Sequence, residues 1–258
     1  MKDFFKYTSP YRTGEVIELS TAEYVVPFLV LGLLVFLLIT YKDIFKGNQK
    51  LEKRFRYIVG IVFTVVYASH YLLRFSIYGF DTIILPFQLC SISMFFAILL
   101  LFTKNRTVYA FVLYAGVLGG LISLFTPVIG YNSAYYRYYQ FYIAHILLIM
   151  TPIYYMSVHD YYPSKKETIN AFLILQTLAI FMGFFNYFTN SDFMFIFVDP
   201  AKITKFPVIK YFGGIPYYLI LVEITGILLF VLLFKVTKFI RLFKIKAHNQ
   251  KKLEVLEE

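Results

Sequence analysis

Cys90 is the only cysteine among 258 residues, and it lies in an apolar stretch just after Pro86 and Gln88. A lone thiol cannot form an intrachain disulfide, so its alternatives are inert packing, chemistry or a link to another chain. Most buried free cysteines simply pack as small hydrophobes. A thiol nucleophile needs a base that accepts its proton, and His145 has a similar depth in another apolar stretch. Cys90 and His145 are therefore the candidate catalytic pair.

Five further polar residues interrupt apolar stretches, where ionisable and amide groups are costly unless they have a partner or a purpose. They are His70, Arg74, Gln88, Asn186 and Glu223. We predict that these five residues bind substrate. His70 and Arg74, four residues apart, share a helix face, and Glu223 is the one acid within an apolar stretch. The alternatives are a structural Arg74–Glu223 ion pair and a basic pocket for a phosphate or carboxylate headgroup. A position near a helix end, within reach of the headgroups, also explains Arg74 and Asn186.

Membrane-spanning helices must position these residues. Hydrophobic residues make up 59% of the chain and charged residues 16%, and the apolar residues form long runs that are typical of a polytopic membrane protein. Because each run is near the roughly 20 residues that a spanning helix needs, we predict an all-α bundle of seven transmembrane helices. The predicted spans are residues 24–40, 57–78, 83–102, 107–129, 139–158, 168–188 and 215–234.

The lysines and arginines between the spans predict the orientation. Most of them share a side with the C-terminal tail, so the positive-inside rule places the N-terminus outside and the C-terminus inside. We expect an extracytoplasmic tail at 1–23 without a signal peptide, one transmembrane domain at 24–234 and a cytoplasmic basic tail at 235–258 that extends the last span. All seven polar residues then lie in the outer half. Residues 193–198, too apolar for a solvated loop and too short to span, predict a lid on the outer face.

The formal net charge is +10. Because these cations flank the apolar spans, we expect anionic lipid headgroups as their partners and no nucleic acid. His70, His145, His159 and Cys90 lack the close spacing of metal ligands, so we expect no metal and no other cofactor.

Two features of the spans concern their shape. Pro86 lies within the third predicted span, where it predicts a kink that opens space beside Cys90. The small residues at 116, 119, 120 and 123 form one face of the fourth span, and this pattern predicts close helix packing.

Four segments, taken in order, give the chain a specific resemblance. They are 85–90 (LPFQLC), 126–127 (TP) with the aromatic 135–137 beyond it, 141–145 (FYIAH), and 186–190 (NYFTN) followed by 193–195 and 199–200. On these segments the chain resembles the YwaF family of bacterial integral membrane proteins, which is related to the eukaryotic transmembrane protein 164 family. The likeness covers most of residues 57–234.

The resemblance implies a seven-helix bundle in a bacterial plasma membrane. The eukaryotic relatives are described as acyltransferases that move a fatty acyl chain from a phospholipid to a lysophospholipid, with a cysteine matching Cys90 and a histidine matching His145. In the corresponding mechanism His145 deprotonates Cys90, a thioester forms, Gln88 donates to the oxyanion, and His70 with Arg74 holds the phosphate. The alternative is a non-enzymatic transporter or lipid-binding protein that uses the same pocket. A heptahelical receptor and a subunit of a larger membrane complex remain open, and the sequence predicts no oligomeric state.

Overall fold

A computed structural model describes residues 4–5, 19–80, 84–127, 129–196 and 217–257. Within this part of the chain there are seven α-helices, which confirms the all-α architecture. Six of them are long and apolar enough to cross a membrane, and α3 is a shorter apolar helix of 15 residues. The helices are α1 (Thr21–Gly47), α2 (Gln49–Tyr78), α3 (Leu89–Thr103), α4 (Arg106–Phe125), α5 (Tyr136–Val158), α6 (Lys165–Thr189) and α7 (Tyr217–Glu257).

The starts of several helices follow directly from local sequence. Ser20 before α1 and Ser164 before α6 each form a capping box with the glutamate three residues later, Glu23 and Glu167. Asn48 begins α2 by accepting a hydrogen bond from a first-turn backbone N–H. The last helix, α7, ends at Glu257, far past residue 234, where its predicted span ended. The prediction that the C-terminal tail extends this helix is therefore confirmed.

The helix α5 lies at the centre of the bundle, where α1, α2, α3 and α4 all pack against it. Small residues let α4 approach closely. A Cβ added at Gly120 would lie 2.8 Å from Cγ1 of Ile149, and one added at Gly116 would lie 3.0 Å from Cδ1 of Leu148. The prediction of close packing at these glycines is therefore confirmed. Gly116 also ends a π-helical turn, Val112–Gly116, within α4.

The start of α3 differs from the prediction. The third span was expected at 83–102, but the helix begins at Leu89, and residues 84–88 are not α-helical. The kink at Pro86 is wrong for the same reason, since this proline precedes the helix. A proline disfavours the helical conformation of the residue before it, here Leu85, and therefore marks a boundary. Cys90 is consequently the second residue of its helix, whereas the predicted span placed it about two turns in.

The bundle has two chemically different ends. We call the end that holds the start of α3 the cysteine end; α2, α4 and α6 finish there and α5 begins there. The other end is the glutamate end, where Lys104 after α3 meets Glu52 of α2 with an N–O distance of 3.1 Å. At the cysteine end, the hydroxyl groups of Ser69 and Tyr136 are 2.6 Å apart and join α2 to α5.

A buried ion cluster closes the glutamate end. Glu52 is only 4% exposed, yet its carboxylate accepts hydrogen bonds from Arg56 Nε at 2.9 Å and from Lys104 Nζ at 3.1 Å. The Tyr154 hydroxyl donates to it at 3.1 Å, and His159 Nε2 lies 2.9 Å away. One carboxylate therefore joins α2 to the end of α3 and the end of α5. None of the predictions made from the sequence included this cluster.

Candidate functional site

Cys90 lies where α3 begins, partly buried between α3 and α4. Its Sγ atom is 3.2 Å from the Ser123 hydroxyl oxygen and 3.7 Å from the Gly119 carbonyl oxygen. The first backbone N–H groups of an α-helix have no partner within the helix, and together with the helix dipole they favour negative charge. Cys90 therefore lies among the first N–H groups of its helix, and not about two turns into it as the predicted span placed it.

His145 lies on the central helix α5 and is 6% exposed. Its Nδ1 atom is 2.7 Å from the Phe141 carbonyl oxygen. A carbonyl can only accept, so Nδ1 carries the hydrogen and Nε2 is the basic nitrogen. The ring also lies against the Phe141 ring, with centroids 4.2 Å apart. The imidazole is therefore fixed in the tautomer that a general base requires.

Cys90 and His145 lie on two helices, α3 and α5, that both pack against α4. The glycines of α4 approach α5 at Leu148 and Ile149, about one turn beyond His145, and Leu124 belongs to the same buried cluster as Phe141. Ser123 of α4 is the partner of the thiol. Among the described residues no hydrogen bond joins His145 to Cys90 or to Ser123.

Gln88 and Asn186 both bind a short segment, residues 193–196, which we call the cap segment. The Asn186 side-chain amide donates to the carbonyl oxygens of Phe193 at 2.8 Å and Ile196 at 3.0 Å, and its oxygen accepts from Phe193 N at 3.0 Å. Gln88 Oε1 accepts from Met194 N at 3.1 Å. Asn186 is 3% exposed, and both polar atoms of its side chain form hydrogen bonds with backbone groups. Among the described residues, the Gln88 amide nitrogen has no hydrogen-bond partner.

The cap segment packs directly over the start of α3. The Phe193 ring lies 5.5 Å from the Phe87 ring, and Phe185 contacts both. Met194 and Phe195 have φ of 56° and 55°, which non-glycine residues seldom adopt. The lid prediction covered 193–198, of which 197–198 lie outside the described residues. The described part contacts Phe87 and Gln88, which precede Cys90 in the chain.

His70 and Arg74 lie at the cysteine end, together with a residue that the sequence reasoning did not select. Arg137 is the second residue of α5, and the residue before it, Tyr136, contacts Ser69 of α2, the neighbour of His70 in sequence. The Arg137 guanidinium lies over the Phe141 ring at 5.4 Å from its centroid. In the sequence, Arg137 lies just before the fifth predicted span, in the segment 135–137 that contributes to the resemblance. Its spacing of four residues from Phe141, which places both on one helix face, was the available signal.

Glu223 has a different partner from the one considered. It is exposed on α7, and its carboxylate accepts a hydrogen bond of 2.8 Å from Gln176 of α6. The pair joins two helices that otherwise have few contacts. Arg74 therefore does not rely on Glu223 for charge neutralisation.

These helices and side chains define a polytopic membrane protein with a thiol, an imidazole and cations gathered at one end of an all-α bundle. The chain belongs to the TMEM164 family, whose model matches residues 18–234. The match includes every candidate residue described above. No curated protein and no solved structure matches the chain.

Proposed function

We propose that this protein is an acyltransferase of the YwaF type that moves a fatty acyl chain from a phospholipid to a lysophospholipid through a thioester on Cys90. One observation carries the proposal. The single thiol lies in the first turn of α3, with Ser123 Oγ of α4 at 3.2 Å, and both of these helices pack against α5, which carries His145. A nucleophile and a base therefore lie on helices in contact with each other.

The first half of the reaction acylates the cysteine. His145 accepts the thiol proton at Nε2, and the thiolate attacks an ester carbonyl carbon of the donor lipid. A C–S bond forms, the ester C–O bond breaks, and the leaving alkoxide takes the proton from the imidazolium as the lysolipid departs. In the second half, the acceptor hydroxyl gives its proton to His145 and attacks the thioester. A C–O bond forms, the C–S bond breaks, and the imidazolium of His145 returns the proton to the leaving thiolate of Cys90.

The start of α3 supplies the donors for the oxyanion. The N–H of Ile92 binds the Gln88 carbonyl, so the N–H groups before it form no intrahelical bond and point out of the helix start. The Gln88 side chain binds Met194 N through its oxygen, so its amide nitrogen is a further donor. Removing one such donor typically costs about 10²–10³ in rate.

The cap segment has a defined task in this mechanism. A thioester that meets water yields a free fatty acid, so transfer requires that water be limited until the acceptor arrives. Two hydrogen bonds donated by Asn186, one that it accepts and one accepted by Gln88 hold this apolar segment at the start of α3.

The proposal includes a placement in the membrane. The cysteine end faces outward, with the N-terminus outside and the C-terminus inside, because most lysines and arginines between the spans lie at the glutamate end and in the tail. Residues 1–23 are then extracytoplasmic and 235–258 cytoplasmic. The basic inner segments contact anionic headgroups of a bacterial plasma membrane.

The alternative function is a non-enzymatic transporter or lipid-binding protein that uses the same pocket. The observation that favours it is the bond between Cys90 and Ser123, because a thiol that serves only for packing would satisfy its weak donor in the same way. This function requires neither the thiol nor the imidazole, so it predicts ligand binding or flux that survives replacement of Cys90.

The deciding experiment is acyl transfer in liposomes that contain purified protein, a labelled diacyl phospholipid and an unlabelled lysophospholipid. Label should reach the lysolipid with the wild type and become undetectable with Cys90→Ala. His145→Gln should lower the rate by about 10²–10⁴, the usual contribution of a general base. Thr177→Ala, at an exposed position of α6, is the control and should leave the rate unchanged.

Two results would count against the enzyme. Unchanged transfer by Cys90→Ala and Cys90→Ser would remove the nucleophile. Absence of transfer in folded wild-type protein, tried with several donors and acceptors, would favour the binding function.

A further inference from the structure

In the described part of the chain, two guanidinium groups at the cysteine end form no ion pair. Arg74 lies near the end of α2 and Arg137 at the start of α5, and both side chains are partly exposed. Among the residues that the structure describes, every ion pair lies elsewhere: the acids are Glu52, Asp160 and Glu167. The start of α5 lies beside the last part of α2, since the hydroxyl groups of Tyr136 and Ser69 are 2.6 Å apart.

The protein holds Arg137 in place with a buried amide. Gln140 is 4% exposed, its Oε1 accepts a hydrogen bond from Arg137 Nη1, and its Nε2 donates to the Val66 carbonyl oxygen at 3.1 Å. This amide ties the start of α5 to α2, the helix that carries Arg74. With the Phe141 ring beneath the guanidinium, Arg137 is fixed before any ligand arrives. An exposed arginine that serves only solubility needs no such support.

The arrangement becomes favourable when an anion lies between the two cations. Like charges at the edge of a low-dielectric region repel, and a phosphate that accepts hydrogen bonds from both reverses the sign of that interaction. Arg74 lies four residues, or about 6 Å, from the end of its helix, which is a depth that headgroup phosphates reach. Guanidinium groups match phosphate oxygens in pairs.

We propose that Arg137 and Arg74 bind the phosphate of a phospholipid, and that Gln140 positions Arg137 for this contact. The inference rests on the proposed function in that the bound lipid is the acyl donor or acceptor. Arg137 and His145 lie on the same helix, eight residues or about 12 Å apart along its axis. A lipid arranged along the membrane normal places its phosphate above its acyl esters in the same order. The cations therefore set which lipids enter, and Cys90 acts on the ester below.

The test measures binding without acyl transfer. A fluorescent ether-linked phospholipid, which has no ester, is bound to purified protein in detergent micelles. Unlabelled competitors are then added: a diether phospholipid, the matching diether glycerol without phosphate, and inorganic phosphate. The fluorescent lipid should leave the wild type at a roughly tenfold lower concentration of the diether phospholipid than of the diether glycerol. Inorganic phosphate should displace little, and efficient displacement by it would assign the site to free phosphate and overturn the lipid.

Variants locate the preference. Arg137→Gln and Arg74→Gln should bind both lipids equally, Arg137→Lys should retain part of the preference, and Gln140→Ala should reduce it although both charges remain. Arg54→Gln, an exposed arginine on α2 at the glutamate end, is the matched control and should keep the full preference. A full preference in Arg137→Gln, or none in the wild type, overturns the inference. A phosphate preference in a protein without acyl transfer would refute the proposed enzyme and leave this site standing.

Discussion

The two ends of the bundle treat charge in opposite ways. At the glutamate end, one buried carboxylate is surrounded by Arg56, Lys104, Tyr154 and His159, so each buried charge has a partner within hydrogen-bond distance. At the cysteine end, Arg74 and Arg137 form no ion pair with any residue that the structure describes. A neutralised cluster needs nothing from outside, whereas a group of cations is complete only with an anion.

The comparison distinguishes residues that stabilise the fold from residues that serve function. The Glu52 cluster joins three helices, and its ion pairs stabilise the folded chain without any ligand. At the cysteine end, within the described part of the chain, the first-turn N–H groups of α3 have no intrahelical partner, the Gln88 amide nitrogen has no hydrogen bond, and the Arg74 and Arg137 guanidinium groups form no ion pair. Natural proteins keep such costly groups where binding or chemistry requires them. Changes at the first end should therefore alter stability, and changes at the second should alter activity.

The largest expected effect on folding comes from Glu52→Gln. This change leaves Arg56, itself 5% exposed, without its charged partner, and breaking a buried ion pair costs about 3–5 kcal/mol. We expect the free energy of unfolding, measured in mixed micelles with denaturant, to fall by about that amount. Glu223→Gln is the matched control, since this acid is exposed and its partner is the neutral Gln176. A stability loss at Glu223 equal to that at Glu52 would erase the distinction between the two sites.

The second prediction concerns pH and the glutamate end. His159 follows the last residue of α5; burial lowers its pKa below the usual 6.5, Lys104 lowers it further, and the Glu52 carboxylate opposes both. The unfolded chain therefore binds a proton more readily than the folded one, and stability falls as pH drops through about 6.5. The slope reaches at most about 1.4 kcal/mol per pH unit for one proton.

The measurement is the unfolding midpoint of the wild type and of His159→Gln between pH 8 and 5. The variant should show a flatter dependence in this range. Asp160 does not interfere: burial raises its pKa, hydrogen bonds from Lys244 and Lys46 more than offset this, and its pKa lies below 3.8. Parallel curves for the two proteins would show that His159 is not the titrating group.

Much of the fold follows from hydrophobic runs. They predicted seven helices, and the boundary errors arise where a helix departs from its apolar run. The helix α2 begins at Gln49, about two turns before the predicted span 57–78, and this polar extension is what carries Glu52 and Arg56. The predicted start of α3 is too early because Leu85 and Phe87 are as apolar as the helix itself. Pro86 marks the boundary before the helix, whereas the sequence predicted a kink within it.

The site was harder to predict, because contacts between helices depend on rotation and register that one sequence does not encode visibly. Cys90 and His145 were selected from residue type and depth. Ser123 was seen only as a small residue on a packing face, and its bond to the thiol appears only when α3 and α4 are docked. The role proposed for Arg137 depends on its hydrogen bond with Gln140. Gln140 in turn donates to the backbone carbonyl of Val66 on α2, which is far away in sequence.

The smallest predicted effect tests whether the cysteine end depends on its cap segment. Asn186→Ala removes three hydrogen bonds to the backbone of residues 193–196, and each is worth about 1 kcal/mol net. The cap segment should then open more often and admit water to the thioester. We expect the ratio of free fatty acid to transferred acyl chain to rise several-fold, while the rate at which Cys90 is acylated changes little.

Both products are measured in one liposome assay by chromatography of the labelled acyl group. Thr189→Ala, near the end of the same helix, removes a hydroxyl that bonds Phe185 of its own helix and Ser191, and serves as the control. If hydrolysis rises only because α6 is destabilised, both variants should raise it together. If the cap segment shields the thioester, only Asn186→Ala should shift the ratio, since that side chain alone holds both Phe193 and Ile196 above the start of α3.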